Sequence, residues 1–134
     1  MSEKKEEKKT KMSWYTASIV MYIRFKDNVQ DKFPIWENVV LIEAYSEDEA
    51  FEKAEEYAKA RESKPDYFMT WEDRQSSWVF GGIRQLVKVS NSSKIYEVPG
   101  DGAEVTYSEM EVNDKESLEK FINGKSVYVR FTDL

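Results

Sequence analysis

The chain has 134 residues, enough for one domain that buries about two-thirds of the surface its unfolded form exposes, and it contains neither histidine nor cysteine. That double absence excludes imidazole acid–base chemistry near neutrality, thiol nucleophiles and the usual zinc, copper and iron–sulfur ligand sets. Carboxylate or lysine chemistry remains, with magnesium or calcium as the accessible ions. The net charge is −6, and because Met1–Lys11 holds five lysines against three glutamates the rest of the chain carries −8, which leaves no basic footprint for a nucleic acid.

Residues 1–12 are polar and charge-mixed, too short to hold a helix alone, and read as a disordered charged tail without the apolar core of a leader peptide. No run approaches the ~20 apolar residues of a membrane span, so a cytoplasmic protein with no membrane partner is expected. From Trp14 the pattern alternates, with Tyr15, Ala17, Ile19, Met21, Ile23 and Phe25 on one face, predicting a long strand with one buried side. Lys26–Pro34 is a loop. A second strand is predicted from about Trp36 to Tyr45, and its two-sided apolar stretch Val39–Ile42 suggests a central place in the sheet.

Ser46-Glu47-Asp48-Glu49 forms a capping box, in which Ser46 accepts from the Glu49 amide and the Glu49 carboxylate reaches back to the Ser46 amide. The helix predicted behind it, residues 47–61, carries Ala50, Phe51, Ala54, Tyr57, Ala58 and Arg61 as one stripe and Glu52, Glu55 and Glu56 on the other side; Pro65 stops it. Asp66–Ser77 reads as a long polar loop, followed by a strand from Trp78 to Val89 bulged at Gly81-Gly82. The glycine pair lies inside a strand and lacks phosphate-loop spacing, so it does not mark a nucleotide site. A hairpin of Ile95–Val98 and Ala103–Val112 around Pro99–Gly102, a short helix over 114–122 capped by Asn113 or Asp114, and a last strand Ser126–Phe131 complete the order β-β-α-β-β-β-α-β. The fold class is therefore α+β, an antiparallel sheet with the long helix packed on one face, and residues 13–134 are taken as a single domain.

Two constellations are candidates for chemistry. Glu72-Asp73-Arg74, with Asp66 nearby, could form a carboxylate pair, but adjacent acids in a polar loop are more often simply solvated; Asp27, Asp31 and Glu37 form a weaker version. Asp101 and Glu104 fit turn chemistry. The stronger candidate is a binding surface formed by Tyr67, Phe68, Met69, Trp71, Glu72, Asp73, Arg74 and Trp78, because Trp, Tyr, Arg and Met are the types enriched at interface cores. Its bland alternative is that Trp78 and Phe80 fill the core while Phe68 and Met69 hold the loop down.

Three segments taken together carry a resemblance: Trp14–Ala17 opening the first strand, Leu41–Ala54 across the strand-to-helix junction, and Trp78–Ile83. With a later segment like Asp101–Ser108, they resemble the small bacterial family catalogued as DUF4288, over about residues 13–112. Residues 113–134 lie beyond the resemblance and read as an extension. The resemblance implies a fold and a bacterial setting, and it supplies no catalytic residues.

The expected function is a non-catalytic protein-interaction module, such as an immunity-type inhibitor or an accessory subunit, acting on another protein. A small-ligand-binding domain is the alternative, and a carboxylate-dependent enzyme of the magnesium type a more distant one. No catalytic residue, metal ligand or cofactor is assigned. Since the acids are dispersed, heating with and without EDTA should give the same unfolding temperature; a drop of several degrees on chelation would restore the metal-dependent alternatives.

Overall fold

The structure, a computed structural model, describes residues 11–65, 67–90 and 98–132. Its elements in chain order are β1 (Ser13–Phe25), β2 (Ile35–Ala44), α1 (Glu47–Lys59), β3 (Met69–Trp71), β4 (Arg74–Lys88), β5 (Met110–Glu111), α2 (Lys115–Ile122) and β6 (Arg130–Phe131). The architecture is α+β, with a four-stranded antiparallel sheet in the order β2-β1-β4-β3 and a separate β5–β6 ladder. The element order is the expected one, although different segments fill several of its places.

β1 follows its alternation closely. Tyr15, Ala17, Ile19, Met21, Ile23 and Phe25 are all buried on the face that α1 covers. Burial pushes the Tyr15 phenol above its ordinary pKa, with a further contribution from the Glu47 charge. Against this floor α1 lays Ala50, Ala54 and Ala58, each fully buried, which are methyl-sized and four residues apart and so let the helix axis approach the sheet closely. Phe51 and Tyr57 flank the stripe at 41% and 38% exposure, so the buried stripe is narrower than the sequence suggests.

At the helix start the Glu49 amide donates to Ser46 Oγ at 3.1 Å, as the capping box requires. The reciprocal bond differs, since Glu49 Oε1 accepts from the Tyr45 amide at 2.8 Å rather than from that of Ser46. The helix also ends two residues early. Arg61 and Glu62 bond back three residues to Ala58 and Lys59, tightening the last turn, and the chain then leaves to dock on β4. There the Ser63 amide donates to the Trp78 carbonyl at 3.0 Å. The Trp78 amide donates to Ser63 Oγ at 2.9 Å, and the Phe80 amide to Glu62 Oε2 at 2.8 Å.

Several expectations are corrected. β2 is an edge strand, because β1 spends its other edge on the longer β4; Val39 and Leu41 stand about half exposed on the face away from α1. The expected loop over 66–77 is mostly a β-hairpin in which Met69–Trp71 pairs with Arg74–Ser76 through a two-residue turn. Glu72 (φ 52°) and Asp73 (φ 62°) both adopt the left-handed region there, a conformation usually advertised by Asn or Gly. Two register shifts fall in the β1–β4 ladder, leaving Arg84 and Gly81 as the extra residues. A Cβ at Gly81 would stand 3.3 Å from the Val20 carbonyl oxygen, so the bulge brings backbone against backbone where only glycine fits without displacement.

Beyond β4 the expected hairpin falls only partly within the described residues. Ile95–Glu97 lie outside the described residues, and Ala103–Val112 contributes a single bridge from Glu104 to Ser90 before β5 pairs with Arg130–Phe131. The turn itself is present, with the Ala103 amide donating to the Gly100 carbonyl at 3.0 Å. The last strand shrinks from the expected 126–131 to two residues. α2 is capped by Asp114, whose Oδ1 accepts from the Ser117 amide at 2.8 Å, yet Leu118, Phe121 and Ile122 remain largely exposed. The tail over residues 1–10 lies outside the described residues.

Replacing Ala54 by Leu should lower stability by about 1–3 kcal/mol, because the added atoms meet the β1 floor; Glu56→Leu, on the outer face, should change it by less than about 0.5 kcal/mol. Urea midpoints of the two variants measure the contrast.

Candidate functional site

Register arithmetic places three tryptophans side by side. Trp36 in β2 is opposite Met21 of β1, and Trp78 in β4 is opposite Ile23, so both project on the α1 side of the sheet with β1 between them. Curling of the sheet closes the gap across β1. The Trp36 and Trp78 rings meet edge to face with centroids 4.9 Å apart, and Trp71 from the hairpin meets Trp36 at 5.3 Å.

Trp78, at one end of this ridge, walls a cleft of about 510 Å³ at the C-terminal end of α1. Met21 and Val40 form its floor, Trp78 and Asn38 its sides, and Tyr57 and Arg61 its roof. The guanidinium carbon of Arg61 lies 4.3 Å from the Tyr57 ring centroid, a cation–π arrangement that holds the charge at the mouth. Arg61 is the charged member of the lining, so the cleft offers apolar walls, an amide and one cation. That combination suits insertion of a side chain from another molecule with a polar or anionic tip.

On the other side of Trp71 lies a second cleft of about 520 Å³, bounded by Phe25, Phe33, Pro34 and Arg74. Arg74 sits 3.6 Å above the Phe25 ring centroid, and its Nη2 donates to both Asp27 carboxylate oxygens, at 2.7 and 2.9 Å, and to the Val29 carbonyl at 2.7 Å. Gln30 completes the loop, accepting from the Phe25 amide at 3.1 Å and donating to the Ile23 carbonyl at 2.7 Å, where β2 no longer supplies partners. Arg74 therefore ties the 26–34 loop to the hairpin.

The structure thus divides the residues singled out from the sequence. Trp71 and Trp78 come together on the ridge, and Met69 lies on the same face, its carbonyl accepting from Ser76 Oγ at 3.3 Å. Arg74 is engaged with Asp27 and Phe25. Phe68 lies under Lys26, whose Nζ is 4.3 Å from the ring centroid, and Tyr67 is exposed. Glu72 and Asp73 occupy the exposed hairpin tip, while Asp66 lies outside the described residues. Glu37 pairs with Arg84 on the opposite face of the sheet, well away from Asp27. Among the described residues no three acidic side chains gather in a group able to hold a metal ion.

Sequence reasoning missed Trp36, Asn38, Tyr57 and Arg61. The signal was present in part, since Trp36, Asn38, Val40 and Ile42 alternate onto one face of β2, and that is the face the buried Ile42 shares with the helix stripe. What the sequence could not supply was the register that sets Trp36 beside Trp78.

A curled antiparallel sheet with one alanine-striped helix and an aromatic cleft at its end defines the class of the protein by architecture alone. By sequence, the model of the family described as domain of unknown function (DUF4288) matches residues 14–108, and the chain belongs to that family. No curated protein and no solved structure matches it. The family match takes in β1 to β4, the ridge and both clefts, and stops short of β5, α2 and β6.

The Asp27 carboxyl is held below the ordinary Asp range, first by the Val29 amide and then by Arg74. A lowered folded-state pKa contributes stability that is fully present above the ordinary value of about 4 and is lost as pH falls through the lowered one. The stability gap between the wild type and Asp27→Asn should therefore be constant near neutrality and narrow below about pH 4, as read from unfolding temperatures across pH.

Proposed function

We propose that this protein is a non-catalytic protein-interaction module, an immunity-type inhibitor or accessory subunit of a bacterial cytoplasmic system, whose partner inserts an anchoring side chain into the Arg61–Trp78 cleft. The observation that carries the reading is the contiguous, part-exposed Trp36–Trp71–Trp78 ridge, whose Trp78 lines a cleft with Tyr57 and Arg61. Tryptophan, tyrosine and arginine are the residues most enriched among binding hot spots, and here they surround a depression rather than fill the centre of the core. The acidic body around it, including the outward Glu52 and Glu56 of α1, favours a partner with a basic rim.

A small-ligand-binding domain is the second reading, favoured by the size of the cleft and by the convergence of Arg61 and Asn38 on it. A carboxylate-dependent reaction finds less support. Glu72 and Asp73 stand exposed at a hairpin tip in contact with solvent.

Co-purification with a chain encoded nearby, followed by affinity measurements on folded variants, tests the proposal. Trp71→Ala and Arg61→Ala should each weaken binding by about 2–4 kcal/mol, and Glu56→Lys by less than about 1 kcal/mol. Unchanged affinity in both the ridge variant and the cleft variant, alongside loss in Glu56→Lys, would move the interface to the outer face of α1.

A further inference from the structure

The two edges of the sheet are treated differently by the chain. β4 carries the short β3 on its outer side, and past the end of β3 the Trp78 and Phe80 amides are taken by Ser63 and Glu62. β2, ten residues long, forms the other edge and, among the described residues, pairs with β1 alone.

Which β2 groups face outward follows from one bond. The Ile23 amide donates to the Pro34 carbonyl at 3.1 Å, so in the β1–β2 register the even-numbered residues of β2 exchange hydrogen bonds with β1. The N–H and C=O groups of Ile35, Glu37, Val39, Leu41 and Glu43 point away from the sheet. Lys53 confirms the parity and closes one end, since its Nζ donates to the Glu43 carbonyl at 2.8 Å. From Ile35 to Leu41 no described residue takes these groups, and the side chains of Ile35, Val39 and Leu41 are 63%, 47% and 48% exposed. This long edge strand exposes apolar side chains and carries no lysine or proline, the commonest devices against pairing, and its only charges are Glu37 and Glu43.

We propose that β2 pairs antiparallel with β2 of a second copy of this chain, the two-fold axis passing between the Asn38 residues, to give one continuous eight-stranded sheet. Three constraints select the second copy and the register. The open stretch Ile35–Leu41 has its midpoint at Asn38, so self-pairing there uses all four open residues on each copy. Ile35 then faces Leu41 of the partner subunit and Glu37 faces Val39 of the partner subunit, with no acid opposite an acid. Shifting the axis to Val40 sets Glu37 against the partner's Glu43, and shifting it to Val39 requires the Glu43 carbonyl that Lys53 already holds. The pairing is independent of the cleft reading. It places the two clefts on one face, since Asn38 lines the cleft and is nearest the axis.

The chain has no cysteine, which makes a direct test possible. In sedimentation equilibrium the wild type should show twice the chain mass, and Val39→Pro should be monomeric with unchanged circular dichroism, because that N–H serves no bond within the chain. Asn38→Cys, a non-hydrogen-bonded pair across the axis, should oxidise rapidly to a disulfide-linked dimer, whereas Val29→Cys in the exposed loop should not. A wild type that stays monomeric throughout the micromolar range, or equal oxidation rates for the Asn38→Cys and Val29→Cys variants, would overturn the proposal. Faster cross-linking of Val39→Cys than of Asn38→Cys would overturn the register.

Discussion

β1 is hydrogen-bonded along both edges, to β2 over Ser13–Tyr22 and to β4 over Tyr15–Phe25, and every other feature takes its position from that double pairing. Its odd-numbered side chains make the floor on which α1 rests, and its even-numbered ones look the other way, where even Thr16 and Ser18 are buried by their neighbours. The two bulges at Gly81 and Arg84 are absorbed within the β1–β4 ladder, and the stronger local twist they impose curls β4 and the β3 hairpin back toward β2. Residues that a flat sheet would keep two strands apart are thereby brought into contact. The aromatic ridge is a consequence of a coiled sheet as much as of the tryptophans in it.

The second element of the design is the smallness of the helix seam. Three alanines at four-residue intervals let α1 lie close to the sheet, and the larger Phe51 and Tyr57 are displaced to its margins. Tyr57 thus becomes available as a stacking surface for Arg61, at the point where the helix tightens and departs toward β4. A bulkier seam would lift the helix and remove the roof of the cleft. Packing economy and the candidate binding surface therefore share one cause.

Much of this was legible in the sequence, and the boundary of legibility is physical. Strict alternation from Tyr15 to Phe25 and the Ser46 cap are local signals that tertiary structure reinforces, so β1 and α1 could be read directly. The hairpin at Glu72-Asp73 was hidden because its left-handed turn residues are not the usual Asn and Gly, and Met69–Trp71 is too short to show a period. The edge position of β2 was hidden because a strand apolar on both faces has the composition of a central one; here the exposed apolar residues lie along an open edge. In the candidate site, Trp71 and Trp78 were identified from residue type, whereas Trp36, Asn38, Tyr57 and Arg61 required strand register and the end of the helix. Residues 113–132 illustrate the converse, since the α2 pattern and the Asp114 cap were readable while the half-exposed setting of Leu118 and Phe121 was not.

The central claim, that sheet curvature across β1 gathers Trp36, Trp71 and Trp78 into one ridge, is tested most directly by proton–proton nuclear Overhauser effects between indole rings in a sample labelled at tryptophan. The account predicts cross-peaks from the Trp36 ring to both Trp71 and Trp78, whose centroids lie 5.3 and 4.9 Å away, and none from these rings to Trp14, which projects from the opposite face. A Trp36 ring without contacts to either partner in the folded protein would contradict it.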